Sequence, residues 1–307
     1  MAVAVAKERR GKGLGSERMR ESLVGYGFIA LPMAFFLFFF IFPIGYAFYI
    51  SRYDWSLFKG PFVGWDNYRE LYHDDVFWRH AVRNTLVFTV VVVPLEMALG
   101  LALAVIVNQA IRFRTFFRAA FYFPSLASSA AIVAIATYIL ASDGILNRLL
   151  GVFGYHHDGA WFSEQSTALP SIIGLNAWTT SGTIMLFYLA ALQAIPTEVY
   201  EAAAIDGAGA WRTFRKITFP LLKPAHYFVA VVSFIGALKM FDQSFIVGGT
   251  SGGPNYSTMT VVLYLYNRAF TGTTRFGYAA AVGLVLFLFI FAVTLAQRLL
   301  FGKAEVS

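Results

Sequence analysis

The sequence predicts an all-α, polytopic membrane protein with six transmembrane helices. Of its 307 residues, 58% are hydrophobic and only 13% are charged, whereas soluble domains are about 25% charged. Six stretches are apolar over the roughly 20 residues that a helix needs to cross the hydrocarbon core. Lys and Arg are distributed unequally between alternate connecting segments, as they are in membrane proteins.

The six predicted spans divide the chain. The first carries no charge over 25 residues, which is too long for the apolar core of a cleaved signal peptide, so we expect it to be retained. The predicted spans are residues 26–50, 85–107, 119–142, 167–193, 225–248 and 276–297. The remaining parts are a basic tail over 1–24, a six-span domain over 25–300 that includes a long loop over 194–224, and a short tail over 301–307.

The distribution of basic residues predicts the orientation. With the N-terminus inside, the inner segments carry 15 of the 24 Lys and Arg residues, the outer loops carry eight, and Lys239 lies within a span. Both termini are therefore expected in the cytoplasm. This bias also accounts for the net charge of +7. Nucleic-acid binding is a poor alternative, because the basic residues are spread over four short segments.

The sequence lacks the common motifs of nucleotide-binding and zinc-dependent enzymes. The chain has no cysteine, no phosphate-binding G-x-x-x-x-G-K-[ST] motif and no H-E-x-x-H zinc motif. The clusters His73-Asp74-Asp75 and His156-His157-Asp158 do not complete a ligand set with zinc spacing, so we interpret them as solvated loops. The sequence therefore predicts no metal site and no cofactor in this chain.

The loop over 194–224 has the pattern of a helical hairpin. Thr197 can cap a first helix. Gly207 and Gly209 permit positive φ, so the helix is expected to stop and turn there. A second helix is expected over 210–218, and Pro220 and Pro224 are expected to end it.

The second helix of the hairpin is amphipathic. Trp211, Phe214 and Ile217 form an apolar stripe, and a basic stripe is formed by Arg212, Arg215 and Lys216. Two interpretations follow from the residues alone. The hairpin fills a groove in a partner protein, or it lies flat on the lipid headgroups.

The segment EAAAIDGAGAWRTFRKITFPLL, which begins at Glu201, closely resembles the EAA loop of binding-protein-dependent ABC importer permeases. The matching positions are Glu201, Ala202, Ala203, Gly207, Ile217 and Pro220. The resemblance implies a type I ABC importer permease fold, in which this loop forms coupling helices that dock into a cytoplasmic ATPase. The residues expected to couple to the ATPase are Glu201, Ala202, Ala203, Asp206, Gly207, Trp211, Phe214 and Pro220.

Further stretches resemble the carbohydrate-uptake branch of that family, in particular the maltose-type larger permease in its shorter, six-span form. They are AWFSEQSTA from Ala160, NAW from Asn176, QAIPTEVYEAAAIDGAG from Gln193 and FDQSFIVGGTSGGP from Phe241. The resemblance implies import of a sugar across a bacterial or archaeal plasma membrane. It also implies three kinds of partner: a homologous second permease, an ABC ATPase dimer that uses ATP and magnesium, and an extracytoplasmic binding protein.

Three ionisable residues lie inside predicted spans, where such residues are costly and usually functional. Lys239 and Asp242 are spaced i, i+3 on one predicted helix, so they can pair with each other or face a substrate. Glu96 precedes the small residues Ala98 and Gly100, which suit close helix packing. We expect Glu96 to form a hydrogen bond to a neighbouring helix.

The fourth predicted span is polar in its outer part, which suits a hydroxyl-rich ligand or interhelical hydrogen bonds. In the maltose-type permease, substrate contacts come from positions that match Asn176, Thr180, Thr183, Phe241 and Asp242. Asn176 keeps the residue type, whereas the two threonines differ from it and Asp242 replaces an amide. An acidic side chain there opposes an anionic substrate, which favours a neutral sugar.

Other functions remain open from the sequence. An importer of glycerol phosphate or a polyol fits the same resemblance. A secondary transporter would use Glu96, Lys239 and Asp242 as a proton relay, although the sequence shows no clear internal repeat. An integral membrane enzyme has the least support, because the sequence offers no nucleophile–base set.

Overall fold

The computed structural model describes residues 19, 21–109 and 112–301. Most of the basic tail predicted over 1–24, and residues 302–307 of the C-terminal tail, lie outside the described residues. The helices are α1 Glu21–Ile50, α2 Asp66–His73, α3 Phe77–Asn108, α4 Arg114–Leu126, α5 Ser129–Ile139, α6 Ile145–Val152, α7 Ala168–Gln193, α8 Thr197–Ile205, α9 over 210–221, α10 Lys223–Leu238, α11 Asp242–Gly248, α12 Val261–Phe270 and α13 Phe276–Phe301.

Irregular helical turns and one small hairpin complete the secondary structure. π-helical turns occur at Leu37–Ile41, Phe77–Val82 and Phe214–Thr218. The antiparallel strands β1 Tyr53–Trp55 and β2 Lys59–Phe62 pair in the segment between α1 and α2.

Within the part of the chain that the structure describes, five helical segments are long and apolar enough to cross a membrane: α1, α3, α7, α10 with α11, and α13. The predicted class, all-α and polytopic, is confirmed. The third predicted span, 119–142, is wrong as a single helix, because α4 and α5 meet at a bend of 97°. The second span also begins earlier than predicted, at Phe77.

The bend between α4 and α5 has a local cause. Pro124 lies in the last turn of α4, and Ala127 leaves the helix with extended backbone at ψ 147°. Ser128 then caps α5, since its hydroxyl accepts a hydrogen bond of 3.3 Å from the amide of Ala131. A new helix start, with its own cap, replaces the continuation that hydropathy alone predicts.

Helices α3 and α7 form the centre of the packing. Gly100 of α3 lies against Ile184 of α7 so closely that a Cβ at Gly100 would be 2.5 Å from the Ile184 Cγ2 atom. On another face of α7, Gly182 abuts the backbone of α4 at Phe121. Small residues at these crossings allow close backbone approach, as they commonly do between membrane helices.

Helix α1 packs differently from the other spans. Of the apolar window that defines it as a span, 0% is buried inside the chain. Its side chains are almost all apolar, including the run Phe38-Phe39-Phe40. Such a helix needs an apolar surrounding, which lipid or another apolar protein surface supplies.

A polar cluster joins the segments outside the spans. The Asp74 carboxylate accepts hydrogen bonds from the hydroxyls of Tyr264 and Tyr278, at 2.5 and 3.1 Å, and pairs with Arg268 at 3.2 Å. It also accepts a bond of 2.9 Å from the backbone amide of Phe77. The chain after α2 is thereby tied to α12 and α13. The interpretation of His73-Asp74-Asp75 as a solvated loop is therefore wrong for Asp74, whose side chain is only 14% exposed.

Candidate functional site

The fifth span is broken at the level of a cavity. Helix α10 ends at Leu238 and α11 begins at Asp242, so Lys239 and Asp242 do not share a continuous helix as predicted. The ion pairs formed by the described residues do not include one between these two side chains. Irregular backbone at membrane depth is tolerated where it lines a cavity or is buried in protein. The Thr260 hydroxyl, which is buried, bonds the Met240 carbonyl at 2.9 Å.

A cavity of about 440 Å³ lies beside this break. Its wall comes from α3, α4, α5, α7, α10 and α11. It brings together all the residues that the sequence singled out within the spans: Glu96, Asn176, Thr180, Thr183, Lys239, Phe241 and Asp242.

Polar side chains meet across the cavity beside the break between α10 and α11. The Asn176 amide donates to the Gln243 side-chain oxygen at 3.4 Å, which joins α7 to α11. The Ser129 hydroxyl donates to the Asp242 carboxylate at 3.3 Å, which joins α5 to α11. Both hydrogen bonds are long, so hydrogen bonds to the hydroxyl groups of a ligand can replace them.

The wall of the cavity on α3 holds a buried carboxyl group. Glu96 is only 3% exposed and lines the cavity with Thr183 and Ser233. The sequence predicts a hydrogen bond from Glu96 to a neighbouring helix. The Ser233 hydroxyl of α10 adjoins the Glu96 carboxyl group but makes no hydrogen bond of ordinary geometry. Glu96 therefore belongs to the cavity wall.

Sequence reasoning missed several polar residues of this wall. Ser125 and Ser129 flank the unpredicted bend between α4 and α5, which is why hydropathy gave no signal for them. Ser233 is a single hydroxyl in an apolar span, and Gln243 follows Asp242 directly. The missed polar residues are Ser125, Ser129, Ser233 and Gln243.

The hairpin over 194–224 has the two predicted helices, with different boundaries. Gly207 has the predicted positive φ, +71°. Gly209 does not, because its φ is −69° in extended backbone. Thr197 is already inside α8, whose cap residue is Pro196 without a side-chain bond. Pro220 lies within α9 and does not end it, since it occupies a first-turn position of the stretch Phe219–Leu221, where its missing N–H is tolerated.

One face of the hairpin packs on the ends of the spans. Ala203 is buried, and the hydroxyls of Tyr200 and Thr218 lie 3.4 Å apart between α8 and α9. Side chains of both helices line a small cavity with Val105 and Asn108 of α3. The hairpin therefore lies beside the end of α3, which also carries Glu96.

The opposite face of the hairpin is exposed. Ile205 is 87% exposed and Trp211 is 72% exposed, and Glu201 and Ala202 are also exposed. The rings of Trp211 and Phe214 stack at 5.9 Å. Prominent apolar side chains of this kind, beside charged ones, are typical of a protein-binding surface.

Comparison with known proteins defines the class. Residues 97–305 match the family described as the binding-protein-dependent transport system inner membrane component, and the chain belongs to this family. It is 34% identical over 292 residues to the probable ABC transporter permease protein YesP of Bacillus subtilis, covering 92% of this chain and 94% of that protein. It is also 34% identical over 275 residues to the lactose transport system permease protein LacF of Rhizobium radiobacter, covering 89% and 92%.

A solved structure shows the same fold. A bacterial ABC transporter involved in the import of the acidic polysaccharide alginate contains a chain with a TM-score of 0.77 at 21% identity, covering 94% of this chain and 98% of that one. The fold, the family and the apolar spans together make this protein an inner-membrane permease of a binding-protein-dependent ABC transporter. The resemblance drawn from the EAA-like segment is confirmed at this level.

Proposed function

We propose that this chain is one of two homologous permease subunits of an ATP-driven sugar importer. The observation that carries the proposal is the single cavity at the broken fifth span, which gathers amide, hydroxyl and aromatic side chains from separate helices. Sugars are bound in proteins by such groups. Relatives named for lactose, for multiple sugars and for diacetylchitobiose support a sugar as the substrate class.

The cavity residues have distinct roles in this proposal. Asn176, Thr180 and Thr183 form one polar edge on α7, and they offer hydrogen bonds to sugar hydroxyls. Phe241 offers an aromatic face, and its ring stacks on Phe245 at 5.3 Å, which fixes its orientation. Asp242 accepts hydrogen bonds at the start of α11.

The hairpin supplies the coupling. In the proposal, α8 and α9 dock into a cytoplasmic ATPase dimer, with Ile205, Trp211 and Phe214 as apolar contacts and Glu201 as the charged one. Because the hairpin lies beside the end of α3, movement of the ATPase is transmitted in this proposal to a helix that lines the cavity. This chain itself needs no cofactor; ATP and magnesium belong to the partner.

The transport cycle follows as alternating access. A binding protein delivers the sugar from outside, ATP closes the ATPase dimer, and the spans expose the cavity first to the outer and then to the inner side. Both termini are on the cytoplasmic side in this scheme, in agreement with the distribution of Lys and Arg.

Reconstitution tests the proposed function. The chain is placed in proteoliposomes with its second permease, its ATPase and its binding protein, whose sugar is identified first by binding titration. We expect ATP-dependent uptake of that sugar. Glu201→Lys and Gly207→Pro should abolish uptake and the stimulation of ATP hydrolysis while the protein still inserts. Uptake that persists without ATP and stops when the proton gradient is removed would contradict the proposal.

A further inference from the structure

The cavity contains a second polar position, separate from the residues placed at its outer end. Glu96 on α3 and Ser233 on α10 are 3% and 5% exposed, and both line the cavity. Glu96 is one turn before Gly100, which lies against Ile184 of the parallel helix α7, so Glu96 is level with Thr180 and about 6 Å further along the helix axis than Asn176. The polar wall of the cavity thus continues from α7 onto α3 and α10.

The inner position has hydrogen-bonding capacity that the described residues do not use. The Ser233 hydroxyl is buried and makes no hydrogen bond within the described chain. A buried hydroxyl without a partner is unfavourable, so a ligand that bonds it is favoured. The adjoining carboxyl group of Glu96 is almost fully buried as well, and such a group inside a span usually serves a function.

The charges on the cavity wall are unequal. Its acidic members are Glu96 and Asp242, and its basic member is Lys239. Lys239 lies at the helix break with Asp242, in the outer half, so no basic side chain of the wall accompanies Glu96 at the inner end. In a cavity with low-dielectric walls, such an imbalance concentrates cations and repels anions.

The geometry points to Glu96 and Ser233 as an inner contact on the substrate path that selects for uncharged or amine-bearing sugars and against sugars with carboxylate or phosphate groups. This inference rests on the proposed function, since it takes the cavity as the path of a sugar. Sugar hydroxyls or an amine bond the Glu96 carboxylate, and the Ser233 hydroxyl provides a further hydrogen bond. An acidic substrate would instead place two like charges close together in a site of low dielectric.

Cysteine labelling measures this selectivity directly, because the chain has no cysteine of its own. The Ser233→Cys variant is assembled with its partner subunits in lipid nanodiscs at pH 8. It is treated with the cationic reagent 2-(trimethylammonium)ethyl methanethiosulfonate or the anionic reagent 2-sulfonatoethyl methanethiosulfonate. The rate of reaction with each reagent is measured from the mass of this chain. The ratio of the cationic to the anionic rate does not depend on the intrinsic reactivity of the thiol. The Ser251→Cys variant, at an exposed turn after α11, is the control.

We expect the ratio of cationic to anionic rates to be about tenfold higher for Ser233→Cys than for Ser251→Cys. Adding Glu96→Gln should lower the ratio for Ser233→Cys by about fivefold. Thr183→Cys, on the same wall, should give the same pattern and replaces Ser233→Cys if that variant does not assemble.

Three results would overturn the inference: equal ratios at the two positions, a ratio that Glu96→Gln leaves unchanged, or no reaction of either cavity variant. The labelling requires neither transport nor a binding protein. Charge-selective labelling without sugar uptake would therefore defeat the proposed function alone, whereas sugar uptake without charge selectivity would defeat this inference alone.

Discussion

The Asp74 carboxylate accepts a hydrogen bond of 2.5 Å from the Tyr264 hydroxyl, across 190 residues of sequence. The same carboxylate pairs with Arg268, and its side chain is only 14% exposed. The segment that leads into α3 is therefore fastened to α12 by a largely buried charge.

Removing this charge should destabilise the protein. Asp74→Asn keeps the size of the side chain but weakens its hydrogen bonds and the pair with Arg268, which together should cost about 2 kcal/mol. We expect the melting temperature in detergent to fall by about 5 °C. Asp66→Asn is the control. Asp66 pairs with Arg69 on an exposed surface, so this substitution should change the melting temperature little. Equal melting temperatures for the two variants would show that the cluster does not stabilise the protein.

Acid should weaken the same cluster. Burial opposes the charge on Asp74, but hydrogen bonds from Tyr264, the Phe77 amide and Tyr278 outweigh that effect, so the pKa of Asp74 lies below its ordinary value. A carboxylate with a depressed pKa stabilises the fold above its unfolded pKa, about 3.9, and this contribution is lost as the pH falls through the folded pKa. Melting temperatures recorded from pH 7 to pH 3 should fall less steeply below about pH 4 in Asp74→Asn than in the parent protein. Parallel curves would contradict this assignment.

The crossing of α3 and α7 makes a packing prediction. At Gly100 an added methyl group meets the Ile184 side chain at 2.5 Å, whereas at Gly174 it meets nothing within 4 Å. Gly100→Ala should therefore destabilise the protein by about 1–3 kcal/mol, while Gly174→Ala should be neutral or slightly stabilising because alanine favours helix. Thermal melts of the two variants check this. Adding Ile184→Ala should relieve part of the effect at Gly100, and no relief would place its cause elsewhere.

The turn of the hairpin over 194–224 contains two glycines that can be compared directly. Neither Gly207 nor Gly209 has an atom within 4 Å of an added Cβ, so only backbone conformation distinguishes them. Gly207→Ser forces a side chain into positive φ at a cost of about 1–2 kcal/mol, whereas Gly209→Ser should be tolerated at a helix start. We expect sugar-stimulated ATP hydrolysis to fall several-fold in the first variant only. The same activity in both would mean that the turn conformation is not needed for coupling.

Trp211 should be a principal contact with the ATPase. Its 72% exposure and aromatic character are typical of residues that dominate interface energies, where truncation costs about 2 kcal/mol or more. Trp211→Ala should weaken association of the ATPase with the permease by about 30-fold, measured by titration in nanodiscs. Phe153, which follows α6 and is 85% exposed, provides the control, because Phe153→Ala should leave the association unchanged.

The sequence was sufficient for the class of fold and for much of the site. Long uncharged runs are read directly as spans, and Glu96, Asn176 and Asp242 stand out because polar residues are rare in them. The helix breaks at Ala127 and after Leu238 were not predicted, because hydropathy counts apolar residues and is insensitive to a local cap or a change of backbone angle.

The helix boundaries within the hairpin over 194–224 also could not be predicted without the structure. Gly207 and Gly209 are equally permissive in sequence. Gly207 takes positive φ because it follows the last turn of α8, where the amides of Gly207 and Ala208 donate to the carbonyls of Ala204 and Ala203. Pro220 was expected to end a helix because proline lacks an amide donor, but a π-helical turn immediately before it lets the chain restart with proline in a first turn.

Helix α1, which has none of its apolar window buried in the chain, carries a practical consequence for anyone handling the purified protein. Its attachment depends on the surrounding amphiphile more than on its own neighbours, so the choice of detergent chain length should decide whether this segment stays in place. Lipid nanodiscs, which restore a hydrocarbon layer of natural thickness, are therefore the preparation in which measurements on the intact permease are most meaningful.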